Sequence, residues 1–296
     1  MTKRIIGVVI LCFQVFFFCG LLEAKVPDAL IKIARNRIAS VEDRKKAIDE
    51  LKTIPDPEVT RNLIEILQDS QEPILLRRHA LDALLQGNDL WLDVELKKIL
   101  NDASLSPESR QYALYGLWKL KPDAIQSELL QLAQKTSESK ELRVDAINYL
   151  GLSSVEKWPP NFWINLYARK TNPAPVRIAA LNNMEKLGLT SELQTAVLGF
   201  LQDPSEDNHL RKSSILTGSR ILPKPEFEEA MIFIVSKPQE SLEMKRYALD
   251  LLSAAEMEAS SILRLRQILS HERNPLLLKE LNATLSRYKE LPNLQG

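Results

Sequence analysis

Residues 75–87 read LLRRHALDALLQG, and the phase of this stretch decides the fold. Arg77 is followed by Ala80 three residues later and by Leu81 four residues later. Moving outward, a basic residue recurs at Arg44, Arg77, Arg110, Arg143, Arg177, Arg211, Lys245 and Lys279, at spacings of 33 or 34. One column proves little in a chain with 39 Lys and Arg, so other columns must keep the same phase. They do. The small residue at +3 is Ala47, Ala80, Ala113, Ala146, Ala180, Ser214 and Ala248, and the large one at +4 is Ile48, Leu81, Leu114, Ile147, Leu181, Ile215 and Leu249.

Upstream of the basic residue, two further apolar columns hold through all eight units. Position −14 carries Leu30, Leu63, Leu96, Leu129, Trp163, Val197, Met231 and Leu265, and position −11 carries Ile33, Ile66, Ile99, Leu132, Leu166, Phe200, Ile234 and Ile268. Spacings of three, four and seven put these side chains on one helical face, so each unit is two amphipathic helices, A then B. Prolines and glycines fall between them: Pro73, Pro107, Pro173, Pro204, Pro238 and Pro275 between A and B, and Pro55, Gly87, Pro122, Gly188 and Pro223 between units. One hairpin cannot bury its own apolar stripe, so the units must stack and share a core. The expected fold is all-α, an α-solenoid of about eight antiparallel helix pairs over residues 25–289, with a short tail at 290–296. Ser214 and Gly218 mark the sixth B helix as a weak layer, and Asn282 and Ser286 suit a cap.

The B-helix words LLRRHALDALLQG, ELRVDAINYLGL (141–152) and PAPVRIAALNNMEKLG (173–188) resemble the HEAT-repeat family. The resemblance implies a right-handed superhelix whose B helices line the concave side, with protein binding as the usual work. The Trp-Leu-Gly-Tyr phasing of tetratricopeptide repeats and the TPLH word of ankyrin repeats are missing.

The first 24 residues stand apart. Lys3 and Arg4 precede an apolar run from Ile5 to Leu22, which reads as a secretory signal peptide cut after Ala24. A retained membrane anchor and lipidation at Cys19 are the competing readings. Both cysteines, Cys12 and Cys19, lie in this segment, so a processed chain has no thiol and is stabilised by packing alone. Removing Lys3, Arg4 and Glu23 leaves 37 basic and 38 acidic residues, a mixed surface without the basic footprint that nucleic acid requires. The expected location is periplasmic or secreted, with membrane contact only through an uncleaved or lipidated N-terminus.

No P-loop, GxGxxG, HExxH or GxSxG word occurs, and three scattered histidines, His79, His209 and His271, read as solvated rather than as metal ligands. No cofactor or metal is expected. The basic column reads as structural, pairing with acids close by in sequence such as Glu42, Asp43, Glu72, Glu108, Glu141, Asp207 and Glu243. Trp91, Trp118, Trp158 and Trp163 read as core. Position +5, opposite the buried stripe, carries Asp49, Asp82, Tyr115, Asn148, Asn182, Leu216 and Asp250. With Tyr112, Asn183 and Tyr247 beside it, this row predicts a protein-binding face, the candidate residues being Asp82, Tyr112, Tyr115, Asn148, Asn182, Asn183 and Tyr247. The resulting expectation is a non-catalytic, exported interaction scaffold with an unidentified protein partner. The alternatives are an enzyme or ligand-binding protein of a HEAT-like family, acting on a tetrapyrrole or a DNA base, and a membrane-tethered envelope component.

Overall fold

A computed structural model describes residues 26–87, 89–152, 158–186, 191–254 and 256–288. The expectations placed on residues 1–24, on Cys12 and Cys19, on Gly188 and on the tail 290–296 lie outside the described residues. Sixteen α-helices and one 3-10 turn account for the regular structure, with no strand among the described residues. They are α1 (Val26–Arg35), α2 (Val41–Leu51), α3 (Pro57–Gln68), α4 (Ile74–Gln86), α5 (Leu92–Asn101), α6 (Pro107–Leu120), α7 (Gln126–Gln134) and α8 (Lys140–Leu152). There follow α9 (Pro160–Ala168), α10 (Ala174–Lys186), α11 (Ser191–Gln202), α12 (Asn208–Ile221), α13 (Lys224–Ser236), α14 (Leu242–Ala254), α15 (Ala259–His271) and α16 (Pro275–Leu285). None of these helices is long and apolar enough to cross a membrane.

The chain divides into two compact units, Met1–Tyr149 and Leu150–Gly296. In the first, α1 packs on α2, α3 on α4 and α5 on α6, while the B helices α2, α4 and α6 lie side by side. In the second, α9 pairs with α10, α11 with α12, α13 with α14 and α15 with α16, and the A helices α11, α13 and α15 form a row.

Helices begin where the sequence supplies a cap. Ser40, Asp56, Ser106, Asp207 and Asn274 accept backbone N–H bonds from the first turns of α2, α3, α6, α12 and α16, and Pro57, Pro107 and Pro275 occupy first helical positions where no N–H is needed. The +3 and +4 columns are buried in all seven units, as are Ile66, Leu132 and Ile234 at −11. Ile33, 43% exposed, and Ile268, half-buried, are the exceptions, and both lie in terminal layers with a neighbouring layer on one side only among the described residues. Ser214 is accommodated in the small column by hydrogen bonds: its Oγ donates to the Leu210 carbonyl and lies 2.7 Å from the Tyr167 hydroxyl. Gly116 is required for close approach, since a Cβ there would stand 2.8 Å from Leu96 Cδ1 and 3.1 Å from Leu81 Cδ1.

The basic column forms a buried ladder. Arg44, Arg77, Arg110, Arg143, Arg177 and Arg211 each donate to the carbonyl ten residues earlier, on Ala34, Leu67, Leu100, Ala133, Tyr167 and Leu201, at 2.7 to 3.1 Å. Each of those carbonyls lies in the last turn of an A helix, where no intrahelical donor is left to satisfy it. The guanidinium then reaches an acid of the following unit: Arg44 to Glu72, Arg77 to Glu108, Arg110 to Glu138, Arg177 to Glu206 and Arg211 to Glu240. The structural role holds, and of the expected acids Glu72 and Glu108 do pair with the column, each with the arginine of the preceding unit; the others are corrected, because the planar fork spans the layer boundary instead of turning back to acids such as Glu42, Asp43, Asp207 or Glu243.

Glu138 shows the electrostatic consequence. Arg110 holds it through both Nη atoms at 2.7 and 2.8 Å, and these bonds outweigh burial, lowering its pKa to about 2 from 4.5. A folded value below the unfolded one means that the stabilisation is complete above roughly pH 4.5 and is lost as pH falls towards 2. The urea midpoint of Glu138→Gln is therefore expected to vary less across that window than that of the wild type.

Candidate functional site in a cleft on three B helices

Within the first unit, α4, α6 and α8 form the walls of a cleft of about 450 Å³. α4 contributes Arg78, Leu81 and Asp82; α6 contributes Glu108, Gln111, Tyr112 and Tyr115; α8 contributes Asp145 and Tyr149. The spacing is helical throughout, and the anchors are Ala80, Ala113, Leu114, Ala146 and Ile147, all buried on the opposite flank. Once those small and branched residues face the core, the polar and aromatic neighbours must face the cleft.

The aromatic wall is continuous. Tyr115 and Trp118 have ring centroids 6.3 Å apart, and Trp118 stacks on Tyr149 at 5.0 Å and 13°. Tyr112 lies against the buried Arg77 guanidinium, 5.0 Å from the ring centroid. The charges are unevenly compensated. Glu108 is neutralised by Arg77 at 2.8 Å, whereas Asp145 accepts only from the neutral Gln111 amide, at 2.6 Å, and forms no ion pair among the described residues.

Burial pushes the Asp145 carboxyl above its ordinary value; the Gln111 hydrogen bond opposes this and the charge of Glu141 adds to it. Burial likewise pushes the Tyr149 phenol well up, with Asp145 and Tyr115 contributing, and raises Tyr112. Every one of these shifts marks a cleft that resists uncompensated negative charge and that an incoming cation would relieve. Among the described residues no group of three or more His, Cys, Asp or Glu side chains is placed to hold a metal ion.

Of the seven residues expected from sequence, the structure brings Asp82, Tyr112 and Tyr115 into this cleft. Asn148 is exposed on α8 but does not line it. Asn182, exposed on α10, and Tyr247, half-buried on α14 with the Lys212 ammonium 5.5 Å from its ring, belong to the second unit. Asn183 is corrected outright: it is 1% exposed, its amide donates to the Ala179 carbonyl at 2.9 Å, and it packs against Gly151, where a Cβ would stand 1.7 Å from Asn183 Oδ1. Lying three residues after Ala180, it shares the buried stripe rather than the solvent row.

Trp91 is corrected in the other direction. It precedes the first turn of α5 and is 72% exposed, the inward place being taken by Leu92. His79 is half-buried, 3.4 Å from Asp49, rather than solvated.

Sequence reasoning missed Glu108, Gln111, Asp145 and Tyr149. A signal was present: Arg78, Gln111 and Asp145, and Asp82, Tyr115 and Tyr149, are two columns four apart with spacings of 33 and 34. The basic column keeps 33 over the same units, so the cleft's phase slips by one residue at α8, where a fixed +5 row lands on Asn148.

No family model matches the sequence, and no curated protein does. Among solved structures, the chain is similar to human deoxyhypusine hydroxylase in complex with glycerol, with 13% identity over 92% of this chain and 99% of that one, at a TM-score of 0.37. The expectations of a non-catalytic scaffold and of a chain that is not an enzyme are corrected by this finding. The structure in question is that of an enzyme.

Proposed function

We propose that the chain is a ligand-binding protein of HEAT-like architecture whose α4, α6 and α8 cleft takes a small organic cation, a protonated amine attached to a flat or apolar body. The observation that carries this reading is Asp145, a partly buried carboxylate among tyrosine rings with a neutral amide as its partner. Tyr112, Tyr115 and Tyr149 supply aromatic lining of the kind that attracts cations, and the cleft volume matches a small-molecule site. A carboxylate held above its ordinary value also accepts a proton more readily than a typical aspartate, which equips the site for acid–base chemistry on a bound amine. Asp82 and Asp145 outnumber Arg78 in the lining once Glu108 is paired with Arg77, which disfavours phosphodiesters and the carboxylates of tetrapyrroles.

Benzylamine is expected to bind the full chain saturably, and benzyl alcohol, its neutral analogue, much less. Asp145→Asn should weaken benzylamine by about ten- to hundredfold, the value of one charge-assisted hydrogen bond. Binding should also fall as pH drops through the raised Asp145 value, with proton release on uptake. Equal affinity for amine and alcohol in a titration calorimeter would remove this reading.

A further inference from the structure

The buried ladder changes character at its seventh position. Arg177 and Arg211 each satisfy an A-helix carbonyl and a buried glutamate. Lys245 on α14 does neither: only 8% exposed, its ammonium has no hydrogen bond and no carboxylate within 4.0 Å among the described residues. Two sequence differences account for this. An ammonium lacks the fork that spans both acceptors at once. The acid of the following turn is Glu272, 27 residues on, whereas Glu206 and Glu240 lie 29 residues after Arg177 and Arg211. Glu272 accepts instead from the backbone N–H groups of Asn274 at 2.7 Å and Arg273 at 2.8 Å.

Lys245 opens on a cleft of about 840 Å³ lined from α13, α14 and α15. Ile232, Val235 and Ile268 supply an apolar wall, and Arg264 and His271 stand at the rim. Arg264 is engaged by Glu229 at 3.2 Å, and the His271 Nδ1 lies 2.9 Å from the Gln267 carbonyl. The ammonium thus faces the cleft with no protein hydrogen bond among the described residues, the charge of Glu272 acting on it only from beyond 4.0 Å, and a bound anion would pair with it directly. One ammonium can pair with one negative charge, and the Glu272 carboxylate in the same lining repels a second, so a monoanion fits better than a dianion.

We propose that this cleft binds a small amphipathic carboxylic acid, with its carboxylate on Lys245 and its aliphatic chain on Ile232, Val235 and Ile268. The site is independent of the amine cleft and survives or fails separately from it.

Octanoate is the probe, titrated into the full chain beside octanol and inorganic phosphate. Saturable octanoate binding is expected, with octanol and phosphate each about tenfold weaker or more. Lys245→Met should lose octanoate binding by about the same factor while the thermal transition is retained. In the wild-type chain, octanoate should slow acylation of Lys245 by an amine-reactive ester, read by peptide mass spectrometry, which needs no variant to fold. Absence of saturable binding, equal binding of octanol, tighter binding of phosphate, or unchanged acylation would each overturn the proposal.

Discussion

Arg211→Met is expected to destabilise the second unit by about 3–5 kcal/mol, the cost of removing one partner from a buried ion pair. Arg211 is 1% exposed, and its two Nη atoms hold Glu240 at 2.9 and 2.6 Å while Nη2 also reaches the Leu201 carbonyl at 3.1 Å. Truncation therefore strands two acceptors at once, an α11 carbonyl without its capping donor and a glutamate buried without its cation. Burial alone would raise the Glu240 pKa, but the Arg211 bonds and the Ser241 N–H bring it below the ordinary glutamate value. In the variant that balance reverses, so the loss should be greatest at neutral pH and shrink in acid as Glu240 is protonated. Hydrogen exchange of α11, α12 and α13 amides measures the effect locally, which suits an array that need not unfold in one step. Arg211→Met with Glu240→Leu should recover most of the loss, because two apolar side chains leave no stranded charge. A double variant as unstable as the single one would show that the cost lies in the lost carbonyl cap instead.

Leu96→Ala is expected to cost the first unit about 2–5 kcal/mol, towards the upper part of that range. Leu96 is fully buried on α5, and its Cδ1 occupies the space left open by the missing side chain of Gly116 on α6. Truncation removes the nearer of the two leucines that fill that space, leaving Leu81 Cδ1, and a glycine cannot move a side chain into it. Gly116→Ala has the opposite sign in the two backgrounds. In the wild type its Cβ would meet Leu96 at 2.8 Å, so the gain of about 1 kcal/mol from replacing a helix-interior glycine is lost to overpacking. In the Leu96→Ala background the same methyl finds a cavity and should stabilise the chain. Urea unfolding of the four proteins closes the cycle, and a Gly116→Ala effect of equal sign in both would refute the packing assigned to α5 and α6.

The ladder carries the same physics from one layer to the next, which is why it was visible in sequence. A guanidinium that caps one helix end and grips the next turn has to recur once per layer in one chemical form, and a column of six arginines follows. Lys245 interrupts it, and only coordinates reveal the consequence: a lysine in the expected phase fits the sequence pattern while its ammonium reaches neither acceptor. The amine cleft was half legible. Asp82, Tyr112 and Tyr115 lay in or beside the solvent row, but Asp145 and Tyr149 sit one residue out of phase with the basic column at α8.

Periodicity determined that this chain forms paired amphipathic helices and which columns are buried, because a 3.6-residue helix facing a neighbour on one side must repeat its apolar residues at helical spacing, while prolines, glycines and capping residues marked the breaks between helices. It did not determine which polar residues meet. That depended on how side chains pack between neighbouring helices, which separated buried Asn183, seated against Gly151, from exposed Asn182 and set Asp145 across from Gln111.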